Sequence, residues 1–126
     1  MKELRKYYRI KGSPEEIYAA LTNPFSISLW TGSDAVMSEE PDSAFSLFDG
    51  DIEGRNVSFE KDQEIVQEWY FGDQEEKSIV TITLRPDRLY TNIELYHTNI
   101  PDDAFEDMAF GWDSYYFGGL KGFFES

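Results

Sequence analysis

Cysteine is missing from the 126-residue chain, which excludes disulfides, thiolate metal sites and a cysteine nucleophile. Histidine occurs once, as His97, so a His/Cys metal site cannot be assembled, and neither a metal nor a cofactor is expected. No apolar run approaches the roughly 18 residues of a membrane span, and the opening MKELRKYYRIKG lacks the apolar stretch of a secretion signal. The expectation is a soluble cytoplasmic protein without membrane insertion. Basic residues are scarce: 11 against 25 acidic ones leave a net charge of −14, which repels polyphosphate and argues against nucleic acid or an anionic bilayer as partner. Catalytic signatures are missing too. No Gly-x-Ser-x-Gly elbow occurs, and FGGLKG near the C-terminus has neither the spacing nor the Ser/Thr of a phosphate-binding loop. Linkers, repeats and low-complexity tracts are also lacking, so residues 1–126 are expected to form one domain.

Aromatics, by contrast, are plentiful. With 10 Phe, 8 Tyr and 3 Trp, the chain has either a thick core or an aromatic-lined cavity. The few cations are gathered at one end: Lys2, Arg5, Lys6, Arg9 and Lys11 lie within the first eleven positions. They read as a solvated strand whose charges balance an acidic body, or as a docking strip for an acidic partner. ELRKYYRIKG is the first strand. Ser13, Pro14 and Glu16 then supply an N-cap, a first-turn proline and a capping box for a short helix that stops at Asn23-Pro24. PFSISLW continues as a second short helix, closing at Trp30. Beyond it come two strands around Asp49-Gly50-Asp51, two alternating strands in QEIVQEWYFGD and KSIVTITLRPD, and a long one in RLYTNIELYHTNI.

The last element is a long helix that begins among Asp102, Asp103, Glu106 and Asp107, carboxylates suited to an electropositive helix start. At 100° per residue, Phe105, Met108, Ala109, Trp112, Tyr115, Tyr116, Gly119, Leu120 and Phe123 share one broad apolar face. Only an antiparallel sheet is large enough to cover it, so an α+β architecture with a curved sheet of six to seven strands wrapped around the helix is expected. Four glycines interrupt that helix, at a cost of about 1 kcal/mol each. Gly111, Gly118 and Gly122 form a flank that lets a neighbour approach, and Gly119 leaves room inside. Phe110, Phe117 and Phe124 recur every seven residues as a second stripe. It is covered within the chain or serves as a homodimer or partner interface.

The pieces SPEEIYAALTNP with Trp30, FDGDIEG with Gly50 and Gly54, IVQEW ending in Trp69, TNIELYHTNIP, and GWDSYYFGGLKGF with Gly111-Trp112 stand in the order of a known family. The chain resembles the single-domain relatives of the C-terminal domain of the activator of heat-shock protein 90 ATPase, within the START / Bet v 1-like helix-grip superfamily. The resemblance implies a curved antiparallel sheet gripping the last helix with a cavity between them, which in the superfamily holds sterols, lipids, polyketides or phenolics. It also implies a chaperone-associated stress protein as a second reading. The eukaryotic activator carries a separate N-terminal domain that these 126 residues do not contain, which places chaperone regulation behind ligand binding.

Candidate ligand-binding residues follow from the two faces of that cavity. Trp30, Trp69 and Trp112, with Met108, Tyr115 and Tyr116, offer apolar walls carrying hydroxyl and indole donors; equally, they fill the interior. His97 shares a strand face with Thr91, Ile93 and Leu95. It is either a polar group at the cavity mouth that orients a ligand or shuttles a proton, or a partly buried residue bonded to backbone or to a tyrosine. Glu94 alternates to the opposite face, and the carboxylates read as solvation and capping. No catalytic residue can be placed, so a cyclase or hydrolase acting in the cavity is a third reading. Binding of an apolar or aromatic small molecule is the first.

Overall fold

The computed structural model describes residues 1–72 and 74–125. Six strands, β1 (Lys2–Lys11), β2 (Ala44–Leu47), β3 (Ile52–Glu60), β4 (Glu64–Trp69), β5 (Ser78–Asp87) and β6 (Tyr90–Ile100), form one sheet in the order β1-β6-β5-β4-β3-β2. Every neighbouring pair is antiparallel. Alternation fixes what faces inward. Val80, Ile82 and Leu84 on β5 stand beside His97, Leu95 and Ile93 on β6, and all six are buried. Ile65, Gln67 and Trp69 carry the same face onto β4.

Two short helices, α1 (Pro14–Thr22) and α2 (Pro24–Thr31), follow β1. The capping box forms as expected: Ser13 Oγ accepts from the Glu16 amide at 3.1 Å, and the Glu16 carboxylate accepts from the Ser13 amide at 3.1 Å. Asn23 ends α1 and caps α2 by accepting the Ser26 amide at 3.0 Å, which forces the sharp corner between them. Ile17, Ala20, Leu21, Ile27 and Trp30 turn into the core.

The C-terminal helix lies against the concave face of the sheet. A 3-10 turn (Asp102–Ala104) leads into α3 (Phe105–Gly111), a π-helical segment (Trp112–Tyr116) and α4 (Phe117–Glu125). The π segment corrects the regular wheel drawn from sequence, because one extra residue in a turn rotates everything after it by about 100°. Phe117, expected on the outer stripe, is 1% exposed and stacks on Tyr8 with ring centroids 4.4 Å apart. Phe123 and Tyr115, expected inside, are 41% and 62% exposed.

The glycines fall differently from the expectation as well. A Cβ on Gly118 would sit 2.5 Å from the Asp113 carbonyl oxygen, so this glycine is what the π turn needs. A Cβ on Gly119 would lie 3.0 Å from the Trp30 carbonyl oxygen. Gly119 is therefore where α4 crosses α2, not an opening in a cavity. A Cβ on Gly111 or Gly122 would meet no packed neighbour within 4 Å, so neither glycine is there to admit a close approach.

Candidate functional site

His97 lies at the centre of the interface between sheet and helix and is completely buried. The Trp112 indole N–H donates to its Nδ1 at 3.1 Å. That bond leaves the imidazole proton on Nε2, which lies 2.8 Å from Ser78 Oγ and donates to it; the serine hydroxyl donates in turn to the Thr98 carbonyl oxygen at 2.9 Å. Burial pushes the imidazole from its ordinary 6.5 down to about 3. Protonating Nδ1 would also remove the acceptor that holds Trp112. The ring is locked neutral, bonded to two side chains and not to backbone or a tyrosine. It lies away from any opening, so it has no lone pair or proton to offer a ligand.

A second buried chain holds Trp69, and sequence reading missed it. The Trp69 indole donates to Gln67 Oε1 at 3.0 Å, and Gln67 Nε2 donates to Asn56 Oδ1 at 2.9 Å. Asn56 Nδ2 reaches Ser43 Oγ at 3.0 Å. Its signal was available: Asn56 and Gln67 are polar residues at inward positions of alternating strands, where an amide must find partners. The third indole, Trp30, donates to the Ala20 carbonyl oxygen at 2.9 Å. All three expected indole donors are thus consumed inside the protein.

The rings pack in a continuous stack. Trp69 stacks on Trp112 at 4.7 Å between centroids with the planes inclined by 27°, Trp112 touches Tyr116 at 4.6 Å, and Tyr116 meets the edge of Trp30 at 5.0 Å. No ligand fits between Trp69 and Trp112. Beside them, however, an open cleft of about 670 Å³ runs under the C-terminal helix. Its helix wall is Met108, Gly111, Trp112, Tyr115 and Tyr116; Trp69 forms the sheet side, and Phe48 and Ile52 from the β2–β3 hairpin face the helix. Phe48 and Asp49 both hold left-handed backbone, with φ of 53° and 56°. Such a conformation costs on the order of 1 kcal/mol per residue, and here it turns the hairpin tip so that Phe48 joins the cleft and meets the edge of Trp30 at 6.3 Å.

Of the residues singled out from sequence, Trp69, Met108, Trp112, Tyr115 and Tyr116 line this cleft. Trp30, Ile93, Leu95, His97 and Gly119 do not; the first four are core. Phe110, assigned to an outer interface stripe, lines the cleft instead and contacts Tyr115 edge to face at 5.8 Å. Phe117 is buried and Phe124 packs against Gly12, at about 3.3 Å from its Cβ position, so two of the three stripe residues are covered within the chain and Phe110 remains exposed.

One nearly buried polar group in the cleft is unspent. Tyr116 is 4% exposed, and its hydroxyl has no hydrogen-bond partner among the described residues, whereas the hydroxyls of Tyr8 and Tyr18 are bonded to Asp113 and Glu39. No fully enclosed side-chain oxygen or nitrogen is left unpaired among the described residues. The Tyr116 hydroxyl is therefore not fully enclosed, and its residue lines the cleft. Burial raises its pKa, so it stays protonated.

Three of the five cations of β1, Arg5, Lys6 and Arg9, are compensated internally. Lys6 and Tyr8 both bond Asp113, at 2.9 and 2.8 Å, and hold its carboxyl below the usual range. Arg5 pairs with Glu94 and Arg9 with Asp87 on the outer face of the sheet. Among the described residues no group of three acidic or imidazole side chains gathers as a metal site would require, and no helix is long and apolar enough to cross a membrane.

A sequence-family profile described as "Activator of Hsp90 ATPase homolog 1-like protein" matches residues 11–125. The chain is similar to the activator of 90 kDa heat shock protein ATPase homolog of Dictyostelium discoideum, with 33% identity over 114 residues, 88% of this chain and 30% of that protein. It is similar to human homolog 1 of the same activator at 29% identity over 111 residues, 86% of this chain and 33% of that protein. It thus spans about a third of the length of these curated relatives. Among solved structures, a Plasmodium falciparum protein described as an HSP90 activator superposes with a TM-score of 0.88 at 24% identity, covering 98% of this chain and 96% of that one. A protein from Colwellia psychrerythraea, described as an Aha1 dimer, superposes with a TM-score of 0.85 at 20% identity, covering 99% and 97%. The shared architecture is the helix-grip fold.

Proposed function

The chain belongs to the activator of Hsp90 ATPase homolog 1-like family, and from that premise we propose that it is a single cytoplasmic START / Bet v 1-like domain, residues 1–126, that binds an apolar or aromatic small molecule in the cleft under its last helix. The observation that carries this reading is the Tyr116 hydroxyl, an unpartnered and nearly buried polar group among walls built mostly of aromatic and aliphatic side chains. Ligand pockets combine a few convergent polar groups with such walls. Binding without catalysis is the form proposed, because the one histidine is spent on Trp112 and Ser78.

The test uses Gly111, which lines the cleft with open space around it. Gly111→Leu fills the opening without crowding a neighbour, and removing a helical glycine favours the helix by about 1 kcal/mol. Gly122→Leu, equally uncrowded but outside the cleft, is the control. Titration calorimetry with the neutral probe N-phenyl-1-naphthylamine is expected to show binding to the wild type and to Gly122→Leu, and none to Gly111→Leu. Equal binding to all three, or to none, refutes the reading.

A second reading, chaperone association, is favoured by the names of the relatives. Its test is stimulation of ATP hydrolysis by a chaperone of the heat-shock protein 90 class, which a surface-acting partner should produce in Gly111→Leu as well. The β1 cations are a poor candidate surface, since Arg5, Lys6 and Arg9 are paired with carboxylates within the chain. Self-association through the last helix would have to use its exposed aromatics, Phe110, Tyr115 and Phe123, because Phe117 is sealed inside.

A further inference from the structure

Building on the cleft as a binding site, we infer that its ligand carries a positive charge, a protonated amine or quaternary ammonium attached to an aromatic or apolar body, and that the cleft turns carboxylates and sulfonates away. Three observations converge. First, aromatic rings line the walls: Phe110 and Tyr115 are the exposed ones, Phe48 is partly buried, and Trp69, Trp112 and Tyr116 lie behind them packed on one another. Ring faces carry negative potential and attract ammonium groups, more strongly as water is excluded. Second, the charged side chains lining the cleft are Asp51, on the β2–β3 hairpin, and Asp107, on α3, and no cation joins them among the described residues.

Three of the chain's cations are engaged elsewhere. Lys6 is bound to Asp113, Lys2 lies over the Phe105 ring at 5.0 Å, and Arg55 bridges Asp42 and Glu68. An anion entering the cleft would thus meet two carboxylates, a chain of net charge −14 and no counter-charge. Third, the Tyr116 hydroxyl is a neutral group whose oxygen can accept an ammonium N–H, in a position where no lysine or arginine competes for it. The arrangement is an open, aromatic-lined cleft that also carries two carboxylates, and such a site selects by charge as well as by shape.

A matched naphthalene series separates this inference from the binding reading beneath it. Calorimetric titration of the full chain with 1-naphthylmethylammonium, 1-naphthylmethanol and 1-naphthoate keeps the ring constant and varies only charge. The ammonium is expected to bind about tenfold more tightly than the alcohol, and the carboxylate more weakly than either. In the Asp51→Asn/Asp107→Asn double variant the preference for the ammonium should fall to about twofold or less. A control double variant, Glu60→Gln/Glu64→Gln, removes the same charge at the far end of the β3–β4 hairpin and should keep the preference. Equal binding of ammonium and alcohol, tightest binding of the carboxylate, or loss of the preference in the control overturns the inference while leaving the cleft a binding site. Failure of all three probes to bind overturns the cleft reading itself.

Discussion

Replacing His97 tests whether the core is built around a neutral imidazole. Its pKa falls from 6.5 to about 3 on folding, so between those values the unfolded chain binds one more proton than the folded one. Stability from this group is complete above pH 6.5 and is lost as pH falls through the window below it. With these two values the loss is about 2 kcal/mol at pH 5 and approaches about 3 kcal/mol at pH 4.5. The interval from pH 6.5 to 5 is clean for the measurement, because Asp113, whose carboxyl is depressed by Lys6 and then Tyr8, contributes its own acid sensitivity only near and below its ordinary 3.8.

Urea denaturation of the wild type and of His97→Gln at pH 7.5, 6 and 5 supplies the comparison. The variant loses the Trp112 and Ser78 bonds and is expected to be less stable at pH 7.5 by about 2–3 kcal/mol, but its stability should be flatter toward pH 5. Parallel losses in the two proteins refute the argument. Because the chain has one histidine, proton NMR of the wild type gives a check that does not need the variant to fold: its imidazole signals should not titrate between pH 7.5 and 4.5. A midpoint near 6.5 would sink the locked-neutral assignment.

Other outcomes follow from single contacts. Gly118→Ala places a methyl 2.5 Å from the Asp113 carbonyl oxygen and should cost about 2 kcal/mol or more despite the better helix propensity of alanine, readable as a lower Tm. Gly119→Leu should push α4 off Trp30 and destabilise the fold while leaving probe affinity at the cleft intact in whatever fraction remains folded. Gly54→Ala meets the Glu68 carbonyl and the Phe45 ring at 2.7 Å, and is expected to give little folded protein by circular dichroism. Trp112→Phe keeps the ring stack but leaves His97 Nδ1 unpaired, costing about 1–3 kcal/mol in urea.

Local signals in the sequence carried most of the architecture. Ser13 and Glu16 announced α1 because a capping box is written in adjacent residues, and Asp49-Gly50 announced the β2–β3 turn for the same reason. Alternation put Ile93, Leu95 and His97 on the buried face of β6 and Glu94 on the other, where it meets Arg5. What sequence could not supply was phase and reach. Nothing in Trp112–Tyr116 declares a π turn, so Phe117 and Tyr115 were placed on each other's sides of the helix. Phe48 and Asp51 joined the cleft only because a left-handed hairpin tip folds toward a helix more than fifty residues away in the chain. The donors of Trp69 and Trp112 counted as available until the geometry showed Gln67 and His97 taking them.

The π segment also bears on how this helix can change length over evolutionary time. A helix that already holds one surplus residue can lose it and become regular, where an ordinary helix would be thrown out of register by any deletion. Removing Ser114 would therefore keep Asp102–Gly111 in place and swing Phe117–Glu125 back by one residue, releasing Gly118 from its obligation. A relative whose last helix runs straight should show a one-residue gap between positions 111 and 117, with side chains larger than glycine permitted at the position matching Gly118. The bulge is thus a hereditary mark, legible in an alignment as a missing letter.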